Sequence, residues 1–289
     1  MGNKIRLRAI RNVAVTEWVK WITNPRMVVL GILLVFVRSF CVQPMLQHAE
    51  KYGKPLNIAE PFLAVCNSGM LTLLVPIVFI LLICDFPLMG GNTLFFIHRT
   101  GKLNWFLGQL LFVLSSIVTF LLVLFLGCAL MSHGTFSSTW SDTVTKYNAA
   151  FPDEAEGFVS RLLPPNLYNQ ITLPEALLKA FLLMTLNLFL LALILCTMKM
   201  LYLRAAGLFS ALALTAAGIA VCSLKNAAMW LFPAANTMIW LHYQEILKKQ
   251  IVPTMYSYLY FTVLIAVLLA GDFFILRRLQ FMNIEQEGT

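Results

Sequence analysis

His242 and Glu245 stand one helical turn apart, a spacing at which an imidazole and a carboxylate can share a metal ion or a proton. Two ligands fall short of the three or four that a metal site needs. Other arrangements that carry chemistry are missing. The chain has no GxxxxGK[ST] cradle for phosphates, no HExxH and no GxSxG. It is therefore not expected to be an enzyme, to hydrolyse ATP by itself, or to hold a metal or cofactor of its own. Cys41, Cys66, Cys84, Cys128, Cys196 and Cys222 all fall in or at the ends of apolar stretches, with no CxxC among them. They read as small buried hydrophobes. What remains are charges set in apolar surroundings, the usual markers of function in a membrane. Arg38 and Asp85 are candidates to line a translocation path or a helix interface. Asp272, close before Arg277 and Arg278, reads as their neighbour at the headgroups. These are too few buried carboxylates for an ion-driven carrier.

The elements that must position these charges are long and apolar. Hydrophobic residues make up 60% of the 289-residue chain and charged residues only 12%, outside the soluble range. Apolar stretches cover residues 27–46, 62–84, 105–131, 176–198, 205–222 and 255–276. A helix needs about 20 mostly apolar residues to cross the hydrocarbon core. The stretches are continuous rather than alternating, and only helices and closed barrels satisfy their backbone groups in lipid. The fold class is therefore all-α, a single membrane domain of six transmembrane helices over residues 1–289. Pro76 in the second stretch predicts a kink. The segment 226–243, broken at Pro233, is short for a span and reads as a re-entrant hairpin before the last helix.

Basic residues orient the helices. One set of connections holds Lys4, Arg6, Arg8, Arg11, Lys20, Arg26, Arg99, Lys102, Lys199, Arg204, Arg277 and Arg278. The other set, over far more residues, holds Lys51, Lys54, Lys146, Arg161, Lys225, Lys248 and Lys249. Both termini are expected in the cytoplasm, in a multi-pass protein of the cytoplasmic (plasma) membrane. The formal charge of +8 marks that face and the lipid bilayer as partner, not nucleic acid. Residues 1–26 have no compact apolar core and no cleavage site, so no signal peptide is expected there. Residues 5–22 instead have helical periodicity, with Leu7, Ile10, Ala14, Trp18 and Trp21 on one stripe flanked by Arg6 and Arg11. A basic helix of this kind is expected to lie along the inner membrane surface. The connection 132–174 is the one sizeable polar piece. It is too small for its own core and is expected to form one or two short helices.

The most specific local pattern runs from Arg99 through Gly101, Lys102 and Trp105 to Gln109, just after His98. A basic turn containing glycine precedes a Trp at the start of an apolar helix, where Trp105 is expected at the headgroups. The stretch resembles the R-x-G-[KR]-x-x-W-x-x-G-[KQ] pattern of type-2 ATP-binding-cassette (ABC) exporter permeases. Glu17 followed by Asn24-Pro25-Arg26 resembles the start of their first span. The layout is similar too: an interfacial N-terminal helix, six spans with both ends inside, and a re-entrant outer segment before the last span. The connection 132–174 is longer than in the simplest members. The resemblance implies a permease subunit that pairs with a second copy or a related subunit. It implies a separate ABC ATPase subunit, which binds ATP and magnesium and docks on the coupling turn His98, Arg99, Gly101, Lys102 and Trp105. A non-transporting polytopic protein (a sensor, assembly factor or scaffold) is the alternative. A membrane-embedded enzyme would need a cluster of polar side chains at one depth, and the sequence has none.

Overall fold

A computed structural model describes residues 5–87, 97, 99–155, 157–224, 226–244 and 249–278. The described chain is helical. Its only extended pairings are two isolated bridges, Asn57 with Thr135 and Tyr243 with Gln250. Five helices are long and apolar enough to cross a membrane, and a bent pair makes a sixth such element. This composition and length suit a multi-pass membrane protein.

Helix α1 (Leu7–Ile22) ends where Thr23, Asn24 and Pro25 break the periodicity. The Asn24 side chain accepts from the Arg26 N–H at 2.9 Å and starts the next helix, α2 (Pro25–Tyr52). Within α2, residues Arg38–Val42 form a turn of π helix just before Pro44. Proline has no N–H to give the preceding turn, and the wider turn absorbs that gap. α2 closes on Gly53, whose φ of +74° a side chain would strain. It runs past the predicted end at residue 46, carrying His48 and Lys51 beyond the apolar stretch.

The second apolar stretch is two helices, α3 (Glu60–Asn67) and α4 (Gly69–Leu82), bent by 85° at Ser68. The kink expected at Pro76 is not where the chain turns, since Pro76 lies within α4. A break leaves backbone groups unpaired, and here a distant segment meets them. The Trp240 indole N–H donates to the Asn67 carbonyl at 2.8 Å, and the Ile239 N–H donates to the Asn67 side-chain oxygen at 2.9 Å. Helix α5 (Lys102–Ser132) follows, about 46 Å long at 1.5 Å per residue.

The connection to the next long helix holds three short helices, α6 (Asp142–Ala150), α7 (Phe158–Leu162) and α8 (Pro165–Tyr168). That is more structure than the one or two helices expected. Tyr147, Leu162, Leu163 and Leu167 are buried, and the three leucines join the main core rather than forming their own. Helix α9 (Leu173–Met200) is central, with 61% of its apolar window buried. α10 (Arg204–Ser223) and α12 (Thr254–Arg278) are peripheral, at 28% and 17%. Between them, residues 226–243 form one short helix, α11 (Pro233–Thr237), between turns of 3-10 helix at Ala227–Leu231 and Ile239–His242.

Ion pairs and hydrogen bonds define two ends of the bundle. At one, called basal here, Arg26 of α2, Asp85 after α4, and Lys199 and Arg204 at the α9–α10 turn converge. At the other, distal end, Asn57 reaches across to the chain after α5, bonding Ser137 and Thr139.

α1 lies alongside the first half of α5, because the two make contact at both ends. The Arg6 N–H donates to the Asn104 side chain at 3.0 Å, and the Trp18 indole donates to Thr119 at 3.1 Å. Between these points a Cβ on Gly108 would stand 2.7 Å from the Val13 Cβ and 3.0 Å from the Ile10 carbonyl. Only glycine permits that approach. The buried stripe of α1 is Ile10, Val13, Ala14, Glu17 and Trp21. Leu7, at 79% exposed, lies off the stripe predicted for it. Both tryptophans bond inward, Trp21 to the Leu82 carbonyl at 3.2 Å.

Candidate functional site

Asp85 organises the basal end. Each of its carboxylate oxygens meets an arginine, Arg26 on one side and Arg204 on the other, and its carbonyl accepts from the Lys199 ammonium. Sequence separations of 59, 114 and 119 residues are brought to one carboxylate. Burial alone would raise the pKa of Asp85, but Arg26 above all, with Arg204 and Lys199, more than offsets it and holds the group below the ordinary carboxylate value. Three cations on one anion leave the junction net positive. Asp85 ties the α1–α2 break, the end of α4 and the α9–α10 turn together.

The predicted turn lies at this same end. Gly101 has a φ of +86° and sits just before the first residue of α5, the region where glycine is at ease. Its N–H donates to the Ile97 carbonyl at 2.8 Å, closing the turn. Arg99 is exposed and Lys102 half-buried, so the turn offers positive charge to solvent. His98 lies outside the described residues. Two expectations need correction. Lys102 belongs to the first turn of α5 rather than to the turn before it, while Trp105 lies at the start of the helix as expected. Trp105 is 1% exposed, a core side chain rather than an anchor at the headgroups. α5 begins in the basal flank of the bundle, where α1 and α12 cover it, with Phe106 against Phe273 at 5.3 Å. The sequence pattern could not say that neighbours would reach so far down.

Arg38 is exposed on the π-helical turn, and no ion pair among the described residues includes it. It is not brought together with Asp85. Asp272 departs from its expected place near Arg277 and Arg278. It is fully buried and accepts from the Thr197 hydroxyl of α9 at 2.7 Å, while Arg278 lies over the Phe274 ring.

Sequence reasoning missed two polar networks. At the distal end the fully buried Glu60 accepts from the N–H groups of Asn57 and Ser141, at 2.9 and 2.7 Å, and from the Ser141 hydroxyl at 2.8 Å. Beside it, half-buried Glu154 takes the Lys51 ammonium and the Tyr147 hydroxyl, and these hydrogen bonds hold its carboxyl low. Burial first, and Glu154 second, push Tyr147 up to about 12. His48 stacks on Tyr147 at 4.0 Å. In the second network, the buried His242 contacts Ser257 at 2.7 Å and the Met238 carbonyl at 3.1 Å, and Ser257 donates to Asn236 at 2.8 Å. Burial pushes His242 down to about 4, so it is neutral near pH 7. Its partner in the sequence pattern, Glu245, lies outside the described residues. Among the described residues no three His, Cys, Asp or Glu side chains gather to hold a metal ion. In both networks the signal was a polar residue in an apolar run, with its partners far along the chain.

Comparison with known proteins gave no significant match: no family model, no curated protein and no solved structure corresponds to this chain.

Proposed function

We propose that this chain is the membrane subunit of an ABC exporter, moving a substrate across the cytoplasmic membrane with ATP hydrolysed by a separate subunit. The observation that carries the reading is the positive turn at Arg99–Gly101–Lys102, with Arg99 exposed, at the start of the longest apolar helix among the described residues. A turn fixed to α5 can pass a push from a docked partner to that helix and to α1 and α12, which cover its start. The basic residues gathered at the basal end favour the cytoplasm for that end and for both termini. α1, basic at Arg6, Arg8 and Arg11 with exposed Val15, Val19 and Ile22 towards its end, would rest in the headgroup region and lean into the bilayer. Residues 226–243, meeting the broken backbone at Asn67, would be a re-entrant piece of the outer leaflet. By the resemblance, two such subunits would rock between inward- and outward-open states as the ATPases close on nucleotide. No residue of this chain would be catalytic.

The test is charge reversal in the turn. Arg99→Glu with Lys102→Glu should weaken association with the ATPase subunit by roughly 1–3 kcal/mol, as for charge-assisted contacts that are partly desolvated. Membrane insertion and expression should be unchanged. Pull-down of the co-expressed ATPase, beside expression level, reads both. A double variant that inserts and binds the ATPase like the wild type would remove the best support for this reading. A purified chain that hydrolyses ATP with no other subunit present would remove it outright.

A further inference from the structure

One flank of the α1–α5 seam is open. A groove of about 540 Å³ runs there, lined by Val15 and Trp18 of α1 and by Leu111, Leu114 and Val118 of α5, with Arg11 at one side. Its walls are unusually apolar for an open surface: Val15 is 53% exposed, Leu111 41%, Leu114 38% and Val118 39%. The α5 wall continues as Leu122, Leu126 and Leu130, each exposed, at a spacing of four that keeps them on one face. From Leu111 to Leu122 that face covers about 16 Å, close to half of the roughly 30 Å hydrocarbon core, or one leaflet. Phe86, next to Asp85, contacts Phe112 with ring centroids 6.2 Å apart. The mouth of the groove is therefore level with the basal charge junction, and its length runs away from it along α5.

Charge beside the groove is uncompensated: Arg11 lines it, and Arg8, one turn earlier on α1, lines a neighbouring pocket with Arg6 and Arg99. Arg8 and Arg11 are three residues apart on the exposed side of α1, and neither forms an ion pair among the described residues. The acidic residue of α1, Glu17, is buried against the core and paired with Lys20 at 3.3 Å. No carboxylate lines the groove. Arginine charge beside an apolar groove whose α5 face continues for about one leaflet complements one kind of molecule. We propose that the groove holds one anionic phospholipid, with its phosphate between Arg8 and Arg11 and an acyl chain over Val15, Trp18, Leu114 and Val118. The lipid would fill the open flank of α1 and would make its docking on α5 depend on the lipids around it.

The full-length chain, reconstituted in nanodiscs of equal phosphatidylglycerol and phosphatidylcholine and released into mild detergent, is analysed by native mass spectrometry for retained lipid. The wild type should keep phosphatidylglycerol in preference to phosphatidylcholine. Arg8→Gln with Arg11→Gln should lower that preference by about fivefold per arginine. Val118→Trp keeps both arginines and fills the groove, and should lose the retained lipid of either headgroup; Leu114→Trp, also at an exposed position, does the same should the first variant not fold. Adding glycerol phosphate should leave the retained lipid in place. Equal retention of the two lipids by the wild type, an unchanged preference in the double arginine variant, or wild-type retention in the filled groove would each overturn the proposal. Displacement by glycerol phosphate would also overturn it, leaving a site for a free phosphate anion.

Discussion

At the scale of single residues, Asp85 has the most to lose. A carboxylate that holds two arginines and a lysine does so only while ionised. Its pKa is held below the ordinary value of 3.8, so the sign follows directly. A group depressed in the folded state adds stability that is complete above its unfolded pKa and fades as pH falls through the folded one. Stability should therefore decline below about pH 4, in a part that Asp85→Asn no longer shows. At neutral pH the same substitution should cost roughly 1–2 kcal/mol, between an exposed pair and a buried one. Thermal unfolding in detergent between pH 3 and 7, wild type against variant, reads both. Parallel pH profiles for the two proteins would mean that the junction adds nothing. Asp85 was legible in the sequence as a charge out of place. Its partners were not, because Arg204 is 119 residues away and nothing local selects it over any other arginine.

Elements come next, and two seams control them. The bend between α3 and α4 depends on a side chain from far along the sequence, Trp240, which satisfies a carbonyl that the break exposes. Trp240→Phe keeps an aromatic ring and removes the donor. It should cost about 1–3 kcal/mol, the penalty of an unsatisfied buried acceptor, read as a fall in unfolding temperature. A neutral result would show that the acceptor finds water. The second seam is α1 on α5. Gly108→Leu puts a branched side chain where even a lone Cβ would stand 2.7 Å from the Val13 Cβ. It should undock α1 while leaving the long helices inserted. Cysteines at Arg6 and Asn104, whose native groups meet at 3.0 Å, should cross-link in an otherwise cysteine-free parent and fail to do so with Gly108→Leu. Persistent cross-linking in that variant would mean the seam tolerates bulk. The existence of α1 was readable from its periodicity and from Asn24-Pro25. Its buried face was not, since the stripe chosen for lipid is largely the one that packs on α5.

For the whole molecule the asymmetry of basic residues predicts which way round it sits. In a cysteine-free background, cysteines at Ser138 and Glu154 should label with an impermeant reagent added outside cells, and a cysteine at Thr289 should not. Outside labelling at Thr289 would mean that residues 226–243 cross the membrane, giving a different count of spans. The class of this protein was settled by its sequence. Long uninterrupted apolar runs have one solution in lipid, a helix that satisfies its own backbone, so the helical class and the places of five long apolar helices follow from composition along the chain, while the remaining run became a bent pair. The turn before α5 was settled in the same way, because Gly101 can take a φ that other residues avoid. Packing settled the rest. It put the bend at Ser68 rather than Pro76, because a break settles where a neighbour, here Trp240, can satisfy the exposed carbonyl. It buried Trp105 and Asp272, and it gathered Arg26, Lys199 and Arg204 on Asp85. Each of these depends on contacts between residues far apart in the chain. Hydrophobicity is a property of a residue and its near neighbours; the partner of a buried polar group is a property of the packing.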